Sequence, residues 1–429
     1  MSDIPATRRC IYCFQCKLVG EFSLEHIWPD ALGGSLCDDL FKTKEVCAKC
    51  NNICGLFVDG AFIKTWFVQT EIANQGSEFL DPSKPTAVPL QYLGVEPDLS
   101  TDAGEICERW QGPAGERIYH FHLADEDRWD TFAGGDTIRR KTKDPGRAYL
   151  ALSSPEEFWS LTAALSFRQQ FAKVKRCVLT KVEIDNPRFK PVMPGLFPQG
   201  DPANPQEARD RTVLAEALSR NRVHSRIPVQ ADFDGRFLCK VALGLGHKIF
   251  GAQHGESAYG AELRKGLWVR DVRERRDLKI RGTGMLGGGG GTIPQQLREF
   301  LTWPGAWTIC IWSHADLLAA HIHSPSGSRL SIVIAEDITQ YAATDTALYL
   351  DGQIYMISLP GESFVGPIAL PDFLGHKLGN KAVPGLRAIE LRDDIANLLP
   401  PKKLPLQSEG LHSCNRLQRR QTGLARMSS

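Results

Sequence analysis

The chain has 429 residues, and its 51 lysines and arginines against 50 aspartates and glutamates give a formal net charge of +1. Hydrophobic residues make up 42% of it and charged residues 24%, which is ordinary for a globular protein. This composition excludes a wholly disordered chain, a collagen-like repeat and a strongly basic nucleic-acid coat protein. Because one hydrophobic core rarely grows past about 250–300 residues, the length predicts two or three domains.

Cysteines are concentrated at the start of the chain. Seven of the twelve lie in the first 54 residues: Cys10, Cys13, Cys16, Cys37, Cys47, Cys50 and Cys54. The first residues show no apolar segment of a secretory signal, and no stretch approaches the roughly 20 apolar residues that span a bilayer. We therefore expect a cytoplasmic protein outside the membrane. In a reducing compartment, clustered CxxC pairs are more often metal ligands than disulfides.

Two CxxC pairs, Cys10 with Cys13 and Cys47 with Cys50, frame this block. Each pair can direct two thiolates at one tetrahedral ion, so the four cysteines predict a structural zinc site. A domain of only about 70 residues has a small core, and a bound zinc would supply folding free energy. Cys13 and Cys16 form an overlapping CxxC. We favour Cys10 with Cys13 because this choice leaves a longer strand before the next motif. In that case the remaining three cysteines are interpreted as small buried hydrophobic residues.

Four segments have the pattern of helices. They are residues 51–73 (a helix or helix-turn-helix), 155–174, 206–221 and 237–251. The last is apolar on most sides and ends at Gly251, which predicts a buried helix. The glycine run MLGGGGGT (285–292) lacks the GKS/T ending of a P-loop and the spaced glycines of a dinucleotide fold. We interpret it as a loop.

Strands are expected within residues 90–150, where glycine, proline and aspartate recur every few positions. Another strand is expected at 178–184, where apolar and polar residues alternate. After the glycine run, four β-branched or aromatic segments are separated by turns. They are WTICIWSH, SRLSIVIAEDI, TALYLDGQIYMISL and GLRAIELR. Together they predict a C-terminal antiparallel sheet, and the fold class is α+β.

The prolines of DPSKPTAVP (81–89) mark the expected end of the cysteine-rich block. The expected divisions are a module at 1–80, a helical or mixed α+β region at 81–275, a β-rich region at 276–400 and a tail at 401–429. The tail carries six basic residues against one acidic residue, and we expect it to be disordered.

A polar motif lies between the two CxxC pairs. It is SLEHIWPDALGG (23–34), with Glu25 and His26 at its centre, and Asn51 directly follows the second pair in VCAKCNNICG (46–55). This order resembles the HNH endonucleases, in the branch where CxxC pairs bracket an EHIxP…GG segment and a CxxCN helix start. The resemblance covers residues 10–60. It implies a treble-clef-like ββα-metal module with structural zinc and phosphodiesterase chemistry.

The resemblance also assigns roles. His26 would be the general base that activates water, since the ordinary pKa of an imidazole, about 6.5, suits proton transfer near neutral pH. Glu25 and Asn51 would ligate a divalent cation. So sparse a set of hard oxygen ligands fits Mg²⁺ or Mn²⁺, which keep waters and take substrate phosphate oxygens. Asn52 is a weaker candidate. Asp59 either supports the ligands of this site without binding the cation or, as we favour, is a solvated charge on the helix.

Two features of this motif depart from the simplest expectation. Glu-His stands where Asp-His is commoner in the wider superfamily, and Asn51 stands where the family name has its last histidine.

Neighbours on a strand point to opposite faces, so Glu25 and His26 cannot share a face on ideal β structure. Either the cation binds on one side and His26 reaches the water from the other, or the strand is bent.

Two further histidine pairs, His120 with His122 and His321 with His323, each place two imidazoles on one face of a strand. Neither pair has a third ligand at an evident spacing. We interpret both as ordinary pairs on half-buried sheets.

The charge distribution bears on the partner. In residues 1–75, nine acidic residues outnumber seven basic ones, whereas residues 264–281 contain eight basic against three acidic residues. Phosphate neutralisation dominates affinity for DNA, so such outer segments would help to bind nucleic acid. They could equally form a solvated surface or recognise a partner protein or trigger.

The sequence therefore favours a metal-dependent endonuclease acting on double-stranded DNA, with a C-terminal recognition or regulatory region. The alternative is a non-catalytic zinc-binding adaptor for nucleic acid or protein.

Overall fold

The computed structural model describes residues 6–99, 102, 104–123, 146–152, 156–180, 203–219, 224–227, 232–285, 300–341, 346–396 and 398–402. The glycine run after Met285, the last part of the strand expected at 178–184, and the tail beyond residue 402 lie outside these residues. Within them, no helix combines the length and the apolar character needed to cross a membrane.

The described residues form strands and helices in alternating groups. The strands are β1 (Thr7–Arg9), β2 (Cys16–Leu18), β3 (Phe22–His26), β4 (Lys42–Cys47), β5 (Gln91–Val95), β6 (Glu105–Gln111), β7 (Arg117–Leu123), β8 (Arg147–Leu152), β9 (Lys175–Thr180), β10 (Gly282–Thr283), β11 (Trp307–His314), β12 (Leu317–His323), β13 (Arg329–Ala335), β14 (Gln353–Ser358) and β15 (Ser363–Ala369). The helices are α1 (Ala48–Cys54), α2 (Gly60–Ile63), α3 (Trp66–Glu78), α4 (Glu157–Gln170), α5 (Pro205–Ser219), α6 (Asp232–Phe250), α7 (Ala252–Glu256), α8 (Ala258–Trp268), α9 (Val272–Arg276), α10 (Leu370–Lys377) and α11 (Pro384–Ala396).

The chain divides into two compact units. The first contains the described residues of 1–84 and 228–399, and the second contains those of 85–227 and 400–402. The boundary after Lys84 falls in the proline-rich segment at 81–89. The rest of the division differs from the expected ranges 81–275 and 276–400. The reason is that α6 packs in one core with the N-terminal module and the large sheet.

The first unit is built on a six-stranded antiparallel sheet in the order β10-β13-β12-β11-β14-β15. Alternate residues of β11 point to its two faces. Ile309 and Ile311 join the core that contains α6, whereas Cys310 joins a separate cluster with α10 and α11. The sheet is therefore covered by apolar side chains on both faces, and the predicted C-terminal antiparallel sheet is confirmed.

The N-terminal module consists of the hairpins β1–β2 and β3–β4 followed by α1. A π-helical turn at Gly55–Asp59 continues α1 into α2, so the helical pattern expected at 51–73 is confirmed. Aromatic contacts join this module to the rest of the unit: Trp28 contacts Trp307 with ring centroids 5.5 Å apart, and Phe62 stacks on Phe237 at 3.8 Å. The module thus shares a core with α6 and the sheet.

The second unit contains a five-stranded sheet in the order β5-β6-β7-β8-β9, in which β8 and β9 are parallel and the other pairs antiparallel. Leu214 and Ala217 of α5 pack on one face, beside Tyr119 and Phe121 of β7. On the opposite face, the ring of Phe171, which follows α4, contacts His120. The strands and helices expected within residues 90–221 are confirmed where the structure describes them.

One expected strand is wrong. GLRAIELR lies in helix α11 and not in the C-terminal sheet. Pro384 begins the helix, a position where proline is favoured because its missing N–H has no intrahelical acceptor. Leu386 and Ile389, three residues apart, are both buried in the core against the sheet. The short apolar segment fits a 3.6-residue period as well as a two-residue one, and tertiary packing selects the helix.

Candidate functional site

The hairpin β3–β4 and helix α1 position the residues singled out in the sequence. The antiparallel register is irregular between Ser23 and Glu25, because two residues of β4 stand opposite Leu24. Such a bulge bends a hairpin and redirects side chains. Glu25 is only 2% exposed and faces the core, whereas His26 is partly exposed. The two neighbours thus differ in their access to solvent.

Lys240 of α6 lies against the buried side of this hairpin. Its side chain is fully buried, and its Nζ donates to three oxygens. Nζ lies 2.8 Å from Glu25 Oε1, 2.7 Å from Asp59 Oδ2 and 2.8 Å from the backbone oxygen of His26. The Tyr12 hydroxyl donates to the same Glu25 oxygen at 3.3 Å. An ammonium has three N–H donors, and each has an acceptor here.

The electrostatics of this cluster follow from its burial. Burial raises the pKa of Glu25 and of Asp59, while the nearby Lys240 ammonium opposes that rise in both. For Lys240 itself burial favours the neutral amine, but Asp59 and Glu25 outweigh it and raise the pKa above its ordinary value. The cluster therefore keeps its lysine charged. Asp59 is an ion-pair partner in the interior, so its interpretation as a solvated helix charge is wrong.

Asn51 attaches α1 to β3. Its Nδ2 donates to Ser23 Oγ at 2.9 Å and to the Leu24 backbone oxygen at 2.7 Å. A carbonyl oxygen only accepts hydrogen bonds, so the amide nitrogen must face Leu24 and Oδ1 must point away from it. Asn51 Oδ1 is therefore oriented as an acceptor or a cation ligand.

These residues fit a hard divalent cation in part. The hairpin and α1 hold the partly exposed His26 and Asn51, which can offer a base and an oxygen ligand. Glu25, the only carboxylate of the expected set, is engaged by Lys240 and Tyr12 through Oε1. A cation ligated by Glu25 would have to use Oε2 or displace the ammonium.

The four cysteines expected to bind zinc come together. Ligand atoms of Cys10, Cys13, Cys47 and Cys50 all lie within 4.8 Å of one another. Sulfur atoms around a tetrahedral zinc at about 2.3 Å would be about 3.8 Å apart, so this cluster fits a structural metal. The cluster includes Cys10 and not Cys16, which is exposed on β2.

The surroundings of Cys10 favour a thiolate. The Cys50 side chain lowers its pKa to about 4, and backbone N–H groups add to this effect. One of these is the N–H of Cys47, which donates to Cys10 Sγ at 3.3 Å. N–H donors directed at sulfur stabilise the charged form that metals bind. Of the three remaining cysteines, Cys37 and Cys54 are buried as expected, whereas the exposed Cys16 is not.

Sequence reasoning missed Lys240 as a member of this site. It lies more than 200 residues from Glu25, so no local spacing connects them. One signal was present: a lysine inside the apolar run FLCKVALGLG. Lysine is almost never fully buried unless it is paired, so such a position indicates carboxylate partners elsewhere in the chain.

An open cleft lies beside β4. It is lined by Lys42, Lys44, His247 and Lys248 together with the acidic Asp39 and Glu45. Lys42 stands directly opposite His26 in the hairpin register. Lysine ammonium groups therefore lie close to the hairpin that carries the candidate base.

The comparisons with known proteins agree with this geometry. The family model described as HNH endonuclease matches residues 10–67. These residues contain the four cysteines, the β3–β4 hairpin, Asn51 and Asp59. No curated protein and no solved structure matches the chain.

Proposed function

We propose that the protein is a metal-dependent endonuclease that hydrolyses phosphodiester bonds, with DNA as its substrate. The observation that carries this proposal is the match of residues 10–67 to HNH endonucleases, together with a partly exposed His26 on the hairpin before α1. A non-catalytic zinc module would use Asn51 to attach α1 to β3, but it has no evident use for the partly exposed His26.

In this proposal each residue has a separate task. His26 accepts the proton of the attacking water. Asn51 Oδ1 and Glu25 Oε2 would be the protein ligands of Mg²⁺ or Mn²⁺. Such a cation supplies positive charge at the phosphoryl and leaving oxygens when it is bound. Lys240 holds Glu25 from the buried side of the hairpin. A zinc ion bound by the four cysteines would tie the turn between β1 and β2 to the start of α1.

The DNA backbone would lie along the cleft beside β4. Lys42, Lys44 and Lys248 can neutralise phosphates there, although the N-terminal module as a whole is slightly acidic. Six basic residues of the segment 264–281 are exposed and could extend this contact or bind a partner protein. They are Lys265, Arg270, Arg273, Arg276, Lys279 and Arg281. Reduced cysteines acting as metal ligands suit the cytoplasm, where we place the protein.

The direct test is incubation of the full chain with supercoiled plasmid and Mg²⁺ or Mn²⁺, comparing wild type with His26→Ala. We expect His26→Ala to lower the cleavage rate by about 100-fold or more, since a positioned base contributes that much. His314→Ala, an exposed histidine at the end of β11, is the matched control and should cleave normally. Equal cleavage by all three proteins would overturn the role of His26.

A non-catalytic zinc adaptor is the second candidate, and one observation favours it. Lys240 already supplies a cation to Glu25, as expected if that carboxylate serves the fold and not a metal. An adaptor would bind DNA without cutting it under any divalent cation, and Glu25→Gln would leave DNA binding unchanged. In the nuclease proposal, Glu25→Gln raises the Mg²⁺ concentration needed for half-maximal cleavage.

A further inference from the structure

The two HxH pairs of the sequence differ in what the fold places beside them. His120 and His122 lie on one face of β7, and the antiparallel register sets Glu108 of β6 directly opposite His120. Among the described residues, three or more His, Cys, Asp or Glu ligand atoms converge in two places only. One is the four-cysteine cluster, and the other is Glu108 with His120 and His122. The pair on β12 belongs to neither.

The distances within this trio suit a small metal ion. Glu108 Oε2 lies 3.2 Å from His120 Nδ1 and 3.3 Å from His122 Nε2. Ligands about 2.0–2.1 Å from a tetrahedral zinc would be about 3.3 Å apart. All three residues are nearly inaccessible, with exposed fractions of 2% for Glu108, 0% for His120 and 2% for His122.

The hydrogen bonding of His122 indicates that a cation belongs here. Its Nδ1 lies 2.7 Å from the backbone oxygen of Leu123, which can only accept, so Nδ1 carries the hydrogen. In a neutral imidazole Nε2 is then a bare lone pair. It faces a carboxylate oxygen, and within the described part of the chain this buried nitrogen makes no hydrogen bond. Two acceptors face each other, and a positive charge between them resolves the conflict.

A backbone carbonyl that holds Nδ1–H is also the usual outer partner of a metal-bound histidine, because it fixes the tautomer and directs Nε2 at the ion. Strand pairing supplies the carboxylate, and the two-residue period of β7 supplies both imidazoles on one face. No rearrangement of the backbone is needed to bring the three ligands together.

We infer that Glu108, His120 and His122 bind a divalent transition metal, Zn²⁺ by ligand preference, in a structural site of the second unit. Two imidazoles and one carboxylate form a donor set that zinc takes readily. Because all three side chains are buried, the ion would be shielded from solvent and would serve to join β6 and β7. This site is separate from the four cysteines and independent of the nuclease proposal.

Metal analysis of the purified full chain, grown in zinc-supplemented medium, tests this inference. We expect about two zinc ions per chain in wild type and about one in His120→Gln/His122→Gln. The matched control is His321→Gln/His323→Gln on β12, which should keep both ions. The variant Cys47→Ser/Cys50→Ser should lose only the ion of the cysteine cluster.

X-ray absorption at the zinc edge of the wild-type protein gives a second reading that needs no variant. Two sites predict a mixed shell, with sulfur at about 2.3 Å and nitrogen or oxygen at about 2.0–2.1 Å. One zinc per chain with a sulfur-only shell would overturn the inference. It would mean that a proton on His122, and not a metal, neutralises Glu108.

Discussion

The ammonium of Lys240 is a fixed positive charge on the buried side of β3. Two carboxylates and one backbone oxygen surround it within 2.8 Å. Burying three charged groups is unfavourable unless each is matched, and here the lysine is the one partner that Glu25 and Asp59 share. Removing Lys240 leaves two negative charges in the interior. This removal should therefore lower the stability of the fold far more than the loss of a surface ion pair would.

We expect Lys240→Met to destabilise the protein by about 3–5 kcal/mol, the range for removal of one partner from a buried ion pair. Chemical denaturation measures this change. Lys248→Met is the matched control, because Lys248 lies on the same helix and is 2.7 Å from Asp39, whose side chain is 93% exposed. Its unfolding free energy should change by no more than about 0.5 kcal/mol.

A triple variant completes this test. Adding Glu25→Gln and Asp59→Asn to Lys240→Met removes both uncompensated charges, so most of the lost stability should return. If the single lysine variant is as stable as the control, or the triple variant is no better than the single one, the three groups do not depend on one another as described.

Glu116 provides a pH-dependent test in the second unit. It is fully buried in the turn between β6 and β7, where burial raises its pKa to about 7 although the Ala114 N–H donates to Oε2. The folded state therefore favours the protonated acid. Its stabilising contribution is complete below the unfolded pKa, about 4.5, and is lost as the pH rises through about 7.

We expect wild type to lose about 3 kcal/mol of stability relative to Glu116→Gln between pH 4.5 and pH 7.5, because glutamine stays neutral throughout. Thermal unfolding across this range measures the difference. Glu157→Gln, at an exposed position on α4, is the control and should follow wild type. A constant difference between wild type and Glu116→Gln would show that Glu116 does not titrate in this window.

At the scale of elements, helix α6 packs closely against its neighbours through glycines. A Cβ at Gly244 would lie 2.6 Å from the side chain of Ile27, the residue after β3, and one at Gly246 would lie 2.2 Å from the His254 ring. Real side chains do not pack this closely. Gly244 therefore sets the distance between α6 and the end of β3, and with it the reach of Lys240 to Glu25, whereas Gly246 sets the distance between α6 and α7.

Gly244→Ala should destabilise the protein by about 1–3 kcal/mol through overpacking. It should also lower plasmid cleavage, because the hairpin that carries His26 must move. Gly55→Ala is the control: a Cβ there meets nothing within 4 Å in a helical conformation, so stability should stay equal or rise. A stable, fully active Gly244→Ala variant would contradict this account of the packing.

The sequence was most informative where chemistry and local spacing coincide. Both CxxC pairs, the EH motif and the following helix lie within 55 residues, and a period of 3.6 identifies helices such as α4 and α6 directly. It was least informative where strand pairing or tertiary packing decides. Glu108 meets His120 only through the register of β6 and β7, and Lys240 meets Glu25 only through the shared core.

At the scale of the whole molecule, the first unit is assembled from two distant stretches of chain. Trp28 from the N-terminal module, Phe237 from α6 and Trp307 from the large sheet belong to one buried cluster. About 140 residues of the second unit lie between the two stretches in the sequence. The nuclease-like module is therefore part of a larger cooperative core, and we do not expect residues 1–84 to fold independently.

Because the core is shared, disruption of the four-cysteine metal site should also affect elements outside the N-terminal module. In Cys47→Ser/Cys50→Ser, hydrogen exchange should speed up in the cysteine turns and in β3–β4, and also in α6 and β11, because their side chains share one buried cluster. Strands β5–β9 have a core of their own and should keep wild-type protection. The variant Cys16→Ser, at an exposed cysteine outside the cluster, is the control. Loss of protection confined to residues 10–54 would show that the module is an independent domain, and loss throughout β5–β9 would show that the two units unfold together.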